Sequence, residues 1–287
     1  MIKTVFIVGP TGIGKTEYAI KYALEHGGEI ISADSMQIYK YMDIGSAKPT
    51  PEERSAVKHY LVDEIDPRQS FSVYDYKILA LEYIRKVHSE GKLPIVCGGT
   101  GLYINALVYD MDFSAPEGEQ EYRDRIWAEC GEDPETLFER LKSLDPKAAE
   151  TIHKNNLKRV LRAVERLEKG EGTLAEFSSI ETESSELDCD IKVLSMDREK
   201  LYDRINRRVD KLYDLGLEKE VRALMDMGFT ADDVAMKGIG YKEIIEAIER
   251  GESAESAKEL IKQNSRHYAK RQITWFKRYK QAEIIEV

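Results

Sequence analysis

Short apolar runs alternate with amphipathic stretches along the first hundred residues of the chain. Apolar runs at 4–8, 29–32 and 93–97 have the length and composition of buried strands. The stretches 17–25 and 73–87 instead repeat apolar residues with a period close to 3.6, which predicts helices. Repeated alternation of strands and helices predicts a parallel sheet with helices on its faces.

The pattern changes near residue 113. Residues 114–121 are polar and acidic and include a proline and a glycine, which is typical of a domain boundary. Helical periodicity follows, without a strand candidate. We therefore expect an α/β core formed by residues 1–112 and 188–287, interrupted by a helical insertion over residues 113–187.

Further elements of the core are predicted on both sides of the insertion. The run from His59 to Ile65 is a strand candidate in the first half. After the insertion, residues 191–196 predict a strand that returns to the sheet, and residues 282–287 predict an edge strand. Long helical patterns cover residues 198–215 and 253–279.

The loop after the first apolar run reads Gly9-Pro10-Thr11-Gly12-Ile13-Gly14-Lys15-Thr16. It fits the pattern G-x-x-x-x-G-K-[ST] and lies between a strand and a helix, which is the context of a phosphate-binding P-loop. Backbone N–H groups, the helix N-terminus and Lys15 are suited to a polyphosphate, and the Thr16 hydroxyl is placed for Mg2+. The motif predicts a P-loop NTPase fold that binds a polyphosphate, without indicating which polyphosphate.

A carboxylate is expected near this loop. P-loop enzymes usually carry an acid at the end of an apolar strand, but the strand at 93–97 ends in Gly98-Gly99. Asp34, at the end of the second strand, could hold Mg2+ through water or act as a general base; a surface aspartate in a turn is the alternative. Because parallel strands end at one edge of a sheet, Asp34 and Thr100 should lie near the P-loop.

Basic residues concentrate near the C-terminus, although the whole chain has a net charge of −10. Seven Lys and Arg and no Asp or Glu occur between Lys262 and Lys280. Basic residues at 258, 262, 266 and 270 recur every four positions and share a helix face. A solvated helix face and a surface that contacts RNA phosphates are both consistent with this pattern.

Two arginine pairs are further candidates for phosphate contact. Arg204 and Arg208 lie four residues apart on one predicted helix face, although salt bridges with nearby acids such as Asp203 would explain them equally well. Arg159 and Arg162 lie three residues apart and form either a clamp or a solvated stripe.

Composition restricts the class of protein. The chain is 42% hydrophobic and has no apolar run near the ~20 residues that span a bilayer, so we expect a cytoplasmic protein without membrane contact. Its three cysteines are widely spaced, which is typical of reduced thiols without a zinc site. Nothing in the sequence indicates an obligate dimer, and a monomer is expected.

Several segments together resemble the bacterial tRNA dimethylallyltransferases. Shared segments are GPTGIGKT at 9–16, ISADSMQIY at 31–39, IGSAKP at 44–49, GGTGLY at 98–103, RVLRAVE at 159–165, GIGYKE at 238–243 and KRQITWF at 270–276. They span nearly the whole chain in the order of the family. The P-loop is generic, whereas the combination of ADSMQ, IGSAKP and RQITWF is specific. One departure is Asn155-Asn156, where relatives often have Asn-Asp.

The resemblance implies a fold, an activity and partners. The family is P-loop-kinase-like with a helical insertion that contacts tRNA. It uses Mg2+ to move a dimethylallyl group from dimethylallyl diphosphate to the exocyclic N6 amine of adenosine at tRNA position 37, beside the anticodon. Nucleotide binding, including ATP binding, is implied by the P-loop.

The resemblance also implies site residues. Residues 11–16 would hold the diphosphate, with Lys15, Thr16 as the metal contact, and Arg208 as a second cation on the leaving group. Asp34 would be the general base. The residues expected to contact tRNA are Asp34, Ser35, Met36, Gln37, Thr100, Arg123, Arg159, Arg162, Lys270 and Arg271.

Three other functions remain consistent with the motifs. An enzyme that prenylates free adenine nucleotides would not need the basic C-terminal segment. A nucleotide kinase would transfer a phosphoryl group and would consume ATP without prenyl transfer. An RNA-binding protein could carry a structural P-loop and catalyse nothing.

Overall fold

The chain forms two compact units in the computed structural model, which describes residues 1–111, 119–170 and 182–287. One unit comprises Met1–Val108 with Ser184–Val287, and the other comprises Tyr109–Glu183. The insertion predicted at 113–187 covers most of the second unit.

The first unit is built on a sheet of six parallel strands in the order β3-β2-β4-β1-β5-β6. The strands are β1 Ile2–Val8, β2 Gly28–Ala33, β3 His59–Tyr60, β4 Leu93–Gly98, β5 Leu187–Ser195 and β6 Glu283–Glu286. Phe6 of the central strand β1 is paired with Val96 on one side and with Ile191 on the other. The parallel α/β class predicted from the alternating pattern is therefore confirmed.

Helices connect these strands. In the first unit they are α1 Lys15–His26, α2 Pro51–Ala56, α3 Val73–Ser89, α4 Gly101–Val108, and, after the insertion, α9 Arg198–Leu215, α10 Leu217–Asp226, α11 Tyr241–Glu249 and α12 Lys258–Phe276. Ser72 caps α3 in a reciprocal capping box with Asp75, which satisfies backbone donors at the helix start. Gly216 ends α9 in the left-handed conformation, as glycine at that position favours.

The core lies on both faces of the central strands. Residues 5–8 of β1 are fully buried, because a parallel strand covered by helices on both faces has no solvent side. One apolar cluster joins Val5 and Ile7 to Ile13 of the P-loop and to Ile205 of α9. The loop that follows β1 is thus packed on a rigid base.

The strand predicted from His59 to Ile65 is wrong in length, since β3 ends at Tyr60. Leu61 and Asp63 adopt positive φ angles of 58° and 65°, which turn the backbone out of the sheet. The backbone N–H of Leu61 donates instead to the Glu64 carboxylate at 2.6 Å. Apolar residues in this run are buried in a turn and not in a strand.

The second unit contains the helices α5 Glu119–Glu129, α6 Pro134–Leu144, α7 Pro146–Thr151 and α8 Leu157–Glu168. No strand occurs within its described residues 119–170. Its own core contains Leu137, Leu141, Val160 and Val164, spaced by four residues on α6 and α8. In the described parts of both units, no helix has the length and apolar character needed to cross a membrane.

Candidate active site

The P-loop forms a short connection between β1 and α1. Gly12 and Gly14 have φ angles of 80° and 98°, which residues with a Cβ adopt only with strain. A Cβ on Gly12 would lie 2.8 Å from the Ile205 side chain, so close packing against α9 also requires glycine there. Backbone N–H groups gathered at a helix N-terminus form a site for a phosphate group.

The Lys15 side chain folds back over the loop. Its Nζ donates to the carbonyl of Pro10 at 2.9 Å. Burial lowers the pKa of the Lys15 ammonium to about 8, while the nearby Asp34 carboxylate acts in the opposite direction. An anion bound beside this ammonium would stabilise its charged form.

Asp34 directly follows β2. Its Oδ1 accepts hydrogen bonds from the backbone N–H groups of Met36 at 2.9 Å and Gln37 at 3.3 Å. These bonds fix the carboxylate by a local turn. No other hydrogen bond to Asp34 occurs among residues 1–111, 119–170 and 182–287, so Oδ2 remains able to accept a substrate proton.

Thr100 holds the segment that contains Asp34. Its Oγ1 accepts from the backbone N–H of Ser35 at 3.0 Å, and its own N–H donates to the carbonyl of Ala33 at 3.1 Å. A Cβ at Gly98 would lie 2.2 Å from that carbonyl oxygen. The ends of β2 and β4 therefore approach closely because glycine follows Cys97.

These groups meet in one cavity of about 690 Å³. Asp34 and Gln37 line it together with P-loop residues Thr11, Gly12, Gly14, Lys15 and Thr16. The predicted ligand residues Gly9, Pro10 and Ile13 do not line it: Ile13 is buried in the core. Thr100 acts through Ser35 and is not a lining residue of this cavity.

The cavity favours anions. Five cationic side chains and three carboxylates line it; the cations are Lys15, Arg204, Arg207, Arg208 and Lys211, and the carboxylates are Glu17, Asp34 and Glu53. Burial lowers the pKa of the Arg208 guanidinium, and Asp34 acts in the opposite direction. Asp203 pairs with Arg207 at 2.5 Å and not with Arg204 or Arg208. Both members of the predicted arginine pair thus line the cavity.

Cys97 also lines this cavity, at the strand end where the usual P-loop acid is missing. Burial raises the pKa of its thiol to about 12. Because the thiolate is the nucleophilic form, this shift disfavours a nucleophilic role for Cys97 at neutral pH.

A second cavity of about 320 Å³ adjoins Asp34 and Arg208, which line both cavities. Its wall includes Met36, Gly238 and Tyr268 and apolar side chains of α9 and α12. Burial raises the pKa of Tyr268 to about 12, so its phenol remains a neutral donor. Two neighbouring cavities, one cationic and one of mixed polarity, therefore share a carboxylate.

Sequence patterns did not single out Gln272 of α12. Its Oε1 accepts from the backbone N–H of Thr11 at 2.8 Å, and its Nε2 donates to the carbonyl of Gly99 at 2.9 Å. Gln272 is 5% exposed. A signal was present: residues 269, 272 and 276 form the buried face of α12, and a polar residue on a buried face needs partners.

The position of the Trp275 ring requires a glycine at position 101. A Cβ on Gly101 would lie 2.4 Å from the Trp275 ring, and the indole N–H donates to Asn105 Oδ1 at 3.2 Å. Both glycines of the Gly99-Thr100-Gly101 turn thus admit side chains of α12. The segments GGTGLY and RQITWF therefore occur together because they pack against each other in the structure.

The loop with the sequence IGSAKP, at residues 44–49, lies around a side-chain carboxylate of the same chain. The Glu220 carboxylate of α10 accepts from the backbone N–H groups of Asp43, Ile44 and Gly45 at 2.7–3.0 Å. The Tyr241 hydroxyl donates to the same carboxylate at 2.6 Å.

The regularly spaced basic residues of α12 have different environments. Lys262 pairs with Asp210 of α9 at 2.8 Å, Lys258 is 3.9 Å from the same carboxylate, and Arg266 donates to Asn206 at 2.5 Å. Only the last member of the series, Lys270, is exposed, as is its neighbour Arg271. Most of this series therefore packs on α9.

The remaining predicted RNA contacts lie in the helical unit. Arg159 and Arg162 are exposed on α8. Arg123 pairs with the buried Glu165 at 2.7 Å. Contact of these three arginines with tRNA stays a prediction.

The fold and the cavity define a P-loop enzyme with a carboxylate fixed beside a cationic cavity. The family model described as IPP transferase matches residues 37–279. A tRNA dimethylallyltransferase of Acetivibrio thermocellus is 49% identical over 280 residues, which are 97% of this chain and 90% of the relative. That of Clostridioides difficile is 48% identical over 287 residues, 100% of this chain and 92% of the relative.

Solved structures of tRNA-modifying transferases are also similar to this chain. The full-length tRNA isopentenylpyrophosphate transferase of Bacillus halodurans matches with a TM-score of 0.73 at 39% identity, covering 100% of this chain and 90% of the other. A eukaryotic dimethylallyltransferase acting on tRNA matches with a TM-score of 0.83 at 25% identity, covering 100% and 74%. The chain belongs to the IPP transferase family.

Proposed function

We propose that this protein transfers a dimethylallyl group from dimethylallyl diphosphate to the N6 amine of adenosine at position 37 of tRNA. One observation carries the proposal: Asp34 lines the cationic P-loop cavity and also the adjoining cavity, whose wall is of mixed polarity. A leaving group and an acceptor amine need such an arrangement, in which one carboxylate borders both compartments.

The cationic cavity holds the diphosphate in this proposal. The reaction breaks the C–O bond between the allylic carbon and the diphosphate, so negative charge develops on the leaving oxygen. Backbone N–H groups of residues 12–16, the Lys15 ammonium and the Arg208 guanidinium stabilise that charge without reorganising. Burial of both cations strengthens their interaction with an anion.

Asp34 acts as the general base. The N6 amine of adenine is a weak nucleophile because its lone pair is delocalised into the ring. As the new C–N bond forms, one N6 proton passes to Asp34 Oδ2, while Oδ1 stays bonded to the backbone of Met36 and Gln37. General base catalysis of this kind contributes about 10²–10⁴-fold.

The residues that line the cationic cavity offer only a few ligands for Mg2+. No group of three His, Cys, Asp or Glu that could hold a metal occurs in the described residues, so those residues form no preformed metal cage. Mg2+ usually binds through one or two protein groups, substrate phosphates and water. Thr16 would contact it, with Asp34 near by, and when bound it would supply charge neutralisation for the diphosphate.

The acceptor adenosine must leave the stacked anticodon loop to reach Asp34, at a cost of a few kcal/mol. Ser35 and Met36 line the smaller cavity and Gln37 lines the cationic one, which supports contact of this segment with the extruded base. Single-stranded loops are the usual targets of specific RNA recognition. Lys270, Arg271 and the exposed arginines of α8 supply phosphate contacts, and the protein acts as a cytoplasmic monomer.

The proposal is tested by incubating an anticodon stem-loop RNA with dimethylallyl diphosphate, Mg2+ and the protein, followed by mass spectrometry of the digested RNA. We expect one adenosine to gain one dimethylallyl group in place of a hydrogen. Parallel reactions with AMP and with ATP test the two alternative enzymatic functions, which are prenylation of free adenine nucleotides and phosphoryl transfer. Prenylated AMP without prenylated RNA, or phosphoryl transfer from ATP alone, would contradict the proposal.

A further inference from the structure

Glu220 lies outside both cavities yet holds the loop that borders them. Its Oε2 accepts from the N–H groups of Asp43 and Ile44, and its Oε1 accepts from the N–H of Gly45 and from the Tyr241 hydroxyl. One half-buried carboxylate therefore receives four hydrogen bonds. No cation pairs with it in residues 1–111, 119–170 or 182–287, so these partners are three backbone N–H groups and one hydroxyl.

This loop is connected to the catalytic segment. Gln37 Nε2 donates to the carbonyl of Ala47 at 3.1 Å, and Gln37 Oε1 accepts from the Ser32 hydroxyl at 3.1 Å. Gln37 and Ala47 line the cationic cavity, and Gly45 lines the neighbouring one. A displacement of the loop would therefore move the Gln37 amide and a wall of each cavity.

Tyr241 makes the arrangement rigid. Its hydroxyl donates to Glu220 and accepts from the N–H of Ser46 at 3.2 Å. A Cβ on Gly45 would lie 2.4 Å from the Tyr241 ring, so the loop packs directly on the phenol. Burial and the Glu220 carboxylate raise the pKa of Tyr241 well above 10, which keeps this donor protonated.

We propose that Glu220 is a positioning residue for prenyl transfer: its carboxylate organises the loop at 43–47 and thereby fixes the wall that Gly45 and Ser46 form in the smaller cavity, which receives the acceptor adenosine. The inference rests on the proposed function. The diphosphate side is anchored separately, because Gln272 and not Glu220 holds the P-loop. Loss of the carboxylate should therefore impair use of RNA more than binding of the diphosphate.

The test compares Glu220→Gln and Glu220→Ala with Glu218→Gln as the matched control. Glu218 lies on the same helix and pairs with Arg222 at 2.9 Å, away from the loop. We expect kcat/KM for stem-loop RNA to fall about 10²-fold in the Glu220 variants, as for a site displaced by 1 Å. KM for dimethylallyl diphosphate should stay within about threefold, since uniform binding of that substrate is retained.

Two further measurements separate positioning from a general loss of stability. Acetate or formate should restore part of the lost kcat in Glu220→Ala, because a small carboxylate can occupy the vacated N–H groups. In a double-mutant cycle, Glu220→Gln and Gln37→Ala should be non-additive. Effects that are additive, unchanged by acetate and equal for both substrates would overturn the inference, as would wild-type kcat/KM for RNA in Glu220→Ala.

The experiment would give a different result if the proposed function itself were wrong. In that case the unmodified protein itself would not prenylate stem-loop RNA. An active unmodified protein with unaffected Glu220 variants would overturn only the role of Glu220.

Discussion

Gln272 and Thr11 are joined by a hydrogen bond of 2.8 Å between a side-chain oxygen of the last long helix and a backbone N–H of the P-loop. The same amide donates to Gly99, so one side chain connects both glycine-rich turns. The Thr11 N–H is thereby occupied, and the N–H groups from Gly12 onward remain for the diphosphate. Geometry of the phosphate site thus depends on a residue 261 positions away in the chain.

Gln272→Leu should destabilise the protein and weaken binding of the diphosphate. It leaves the Thr11 N–H and the Gly99 carbonyl without their partner, at about 1–3 kcal/mol for each buried group. Thermal unfolding and KM for dimethylallyl diphosphate check this expectation. Gln263→Leu, at an exposed position of the same helix, is the control and should change neither quantity. An unchanged KM in Gln272→Leu would show that the amide does not shape the phosphate site.

Asp34→Asn should abolish prenylation and leave RNA affinity within about threefold, because the amide keeps the turn and contacts but cannot accept the N6 proton. The lost base contribution corresponds to about 10²–10⁴-fold in kcat. Single-turnover prenylation and RNA binding measured on the same preparation provide the test. Normal turnover by this variant would remove Asp34 from the role of base. Asp214→Asn, at an exposed residue of α9, should behave as the unmodified protein.

Binding of dimethylallyl diphosphate should weaken above about pH 8. Burial lowers the pKa of Lys15 to about 8, so the free enzyme loses this charge as the pH rises through that value. KM for the diphosphate should then increase with pH, and Lys15→Gln should show a high KM without this alkaline rise. A pH-independent KM between 7 and 9.5 in the unmodified protein would contradict the prediction.

Lys15 also affects stability in the same pH range. Its pKa is lowered in the folded protein relative to the ordinary value of 10.5, so the unfolded chain binds more protons between about pH 8 and 10.5. Stability contributed by this residue therefore increases as the pH rises through that window. The pH dependence of the midpoint of urea unfolding, compared between the unmodified protein and Lys15→Gln, measures the difference.

Lys270→Ala combined with Arg271→Ala should weaken RNA binding and reduce its salt dependence. For single-stranded RNA, the slope of log K against log salt falls by about 0.7 for each lost phosphate contact. Lys262→Ala is the control, since Lys262 pairs with Asp210 and should leave the slope unchanged. An equal slope in the double variant and the unmodified protein would remove these two residues from the RNA surface.

Sequence periodicity predicted those parts of the fold that depend on local order. The P-loop, α1 and the strand before Asp34 follow from short patterns, because strand, turn and helix propensities act over a few residues. Local patterns did not predict the correct length of the strand that begins at His59. Burial explains its apolar residues, but the positive φ angles of Leu61 and Asp63 end the strand after Tyr60.

Long-range partners were harder to predict. Four-residue spacing placed Lys258, Lys262 and Arg266 on one face but could not show that this face meets Asp210 and Asn206. The loop that carries Gly45 encloses an anionic group. The anion it encloses is a carboxylate of the same chain, which no local pattern indicates.

Because Gln272 lies 261 positions after Thr11, the order of synthesis matters for this enzyme. Residues 9–16 leave the ribosome long before the helix that completes them. Nascent chains that end before residue 272 therefore lack the bond that fixes Thr11, however well β1 and α1 have already formed. The glycine-rich loop therefore gains this contact only after residue 272 has been synthesised, 261 positions after Thr11.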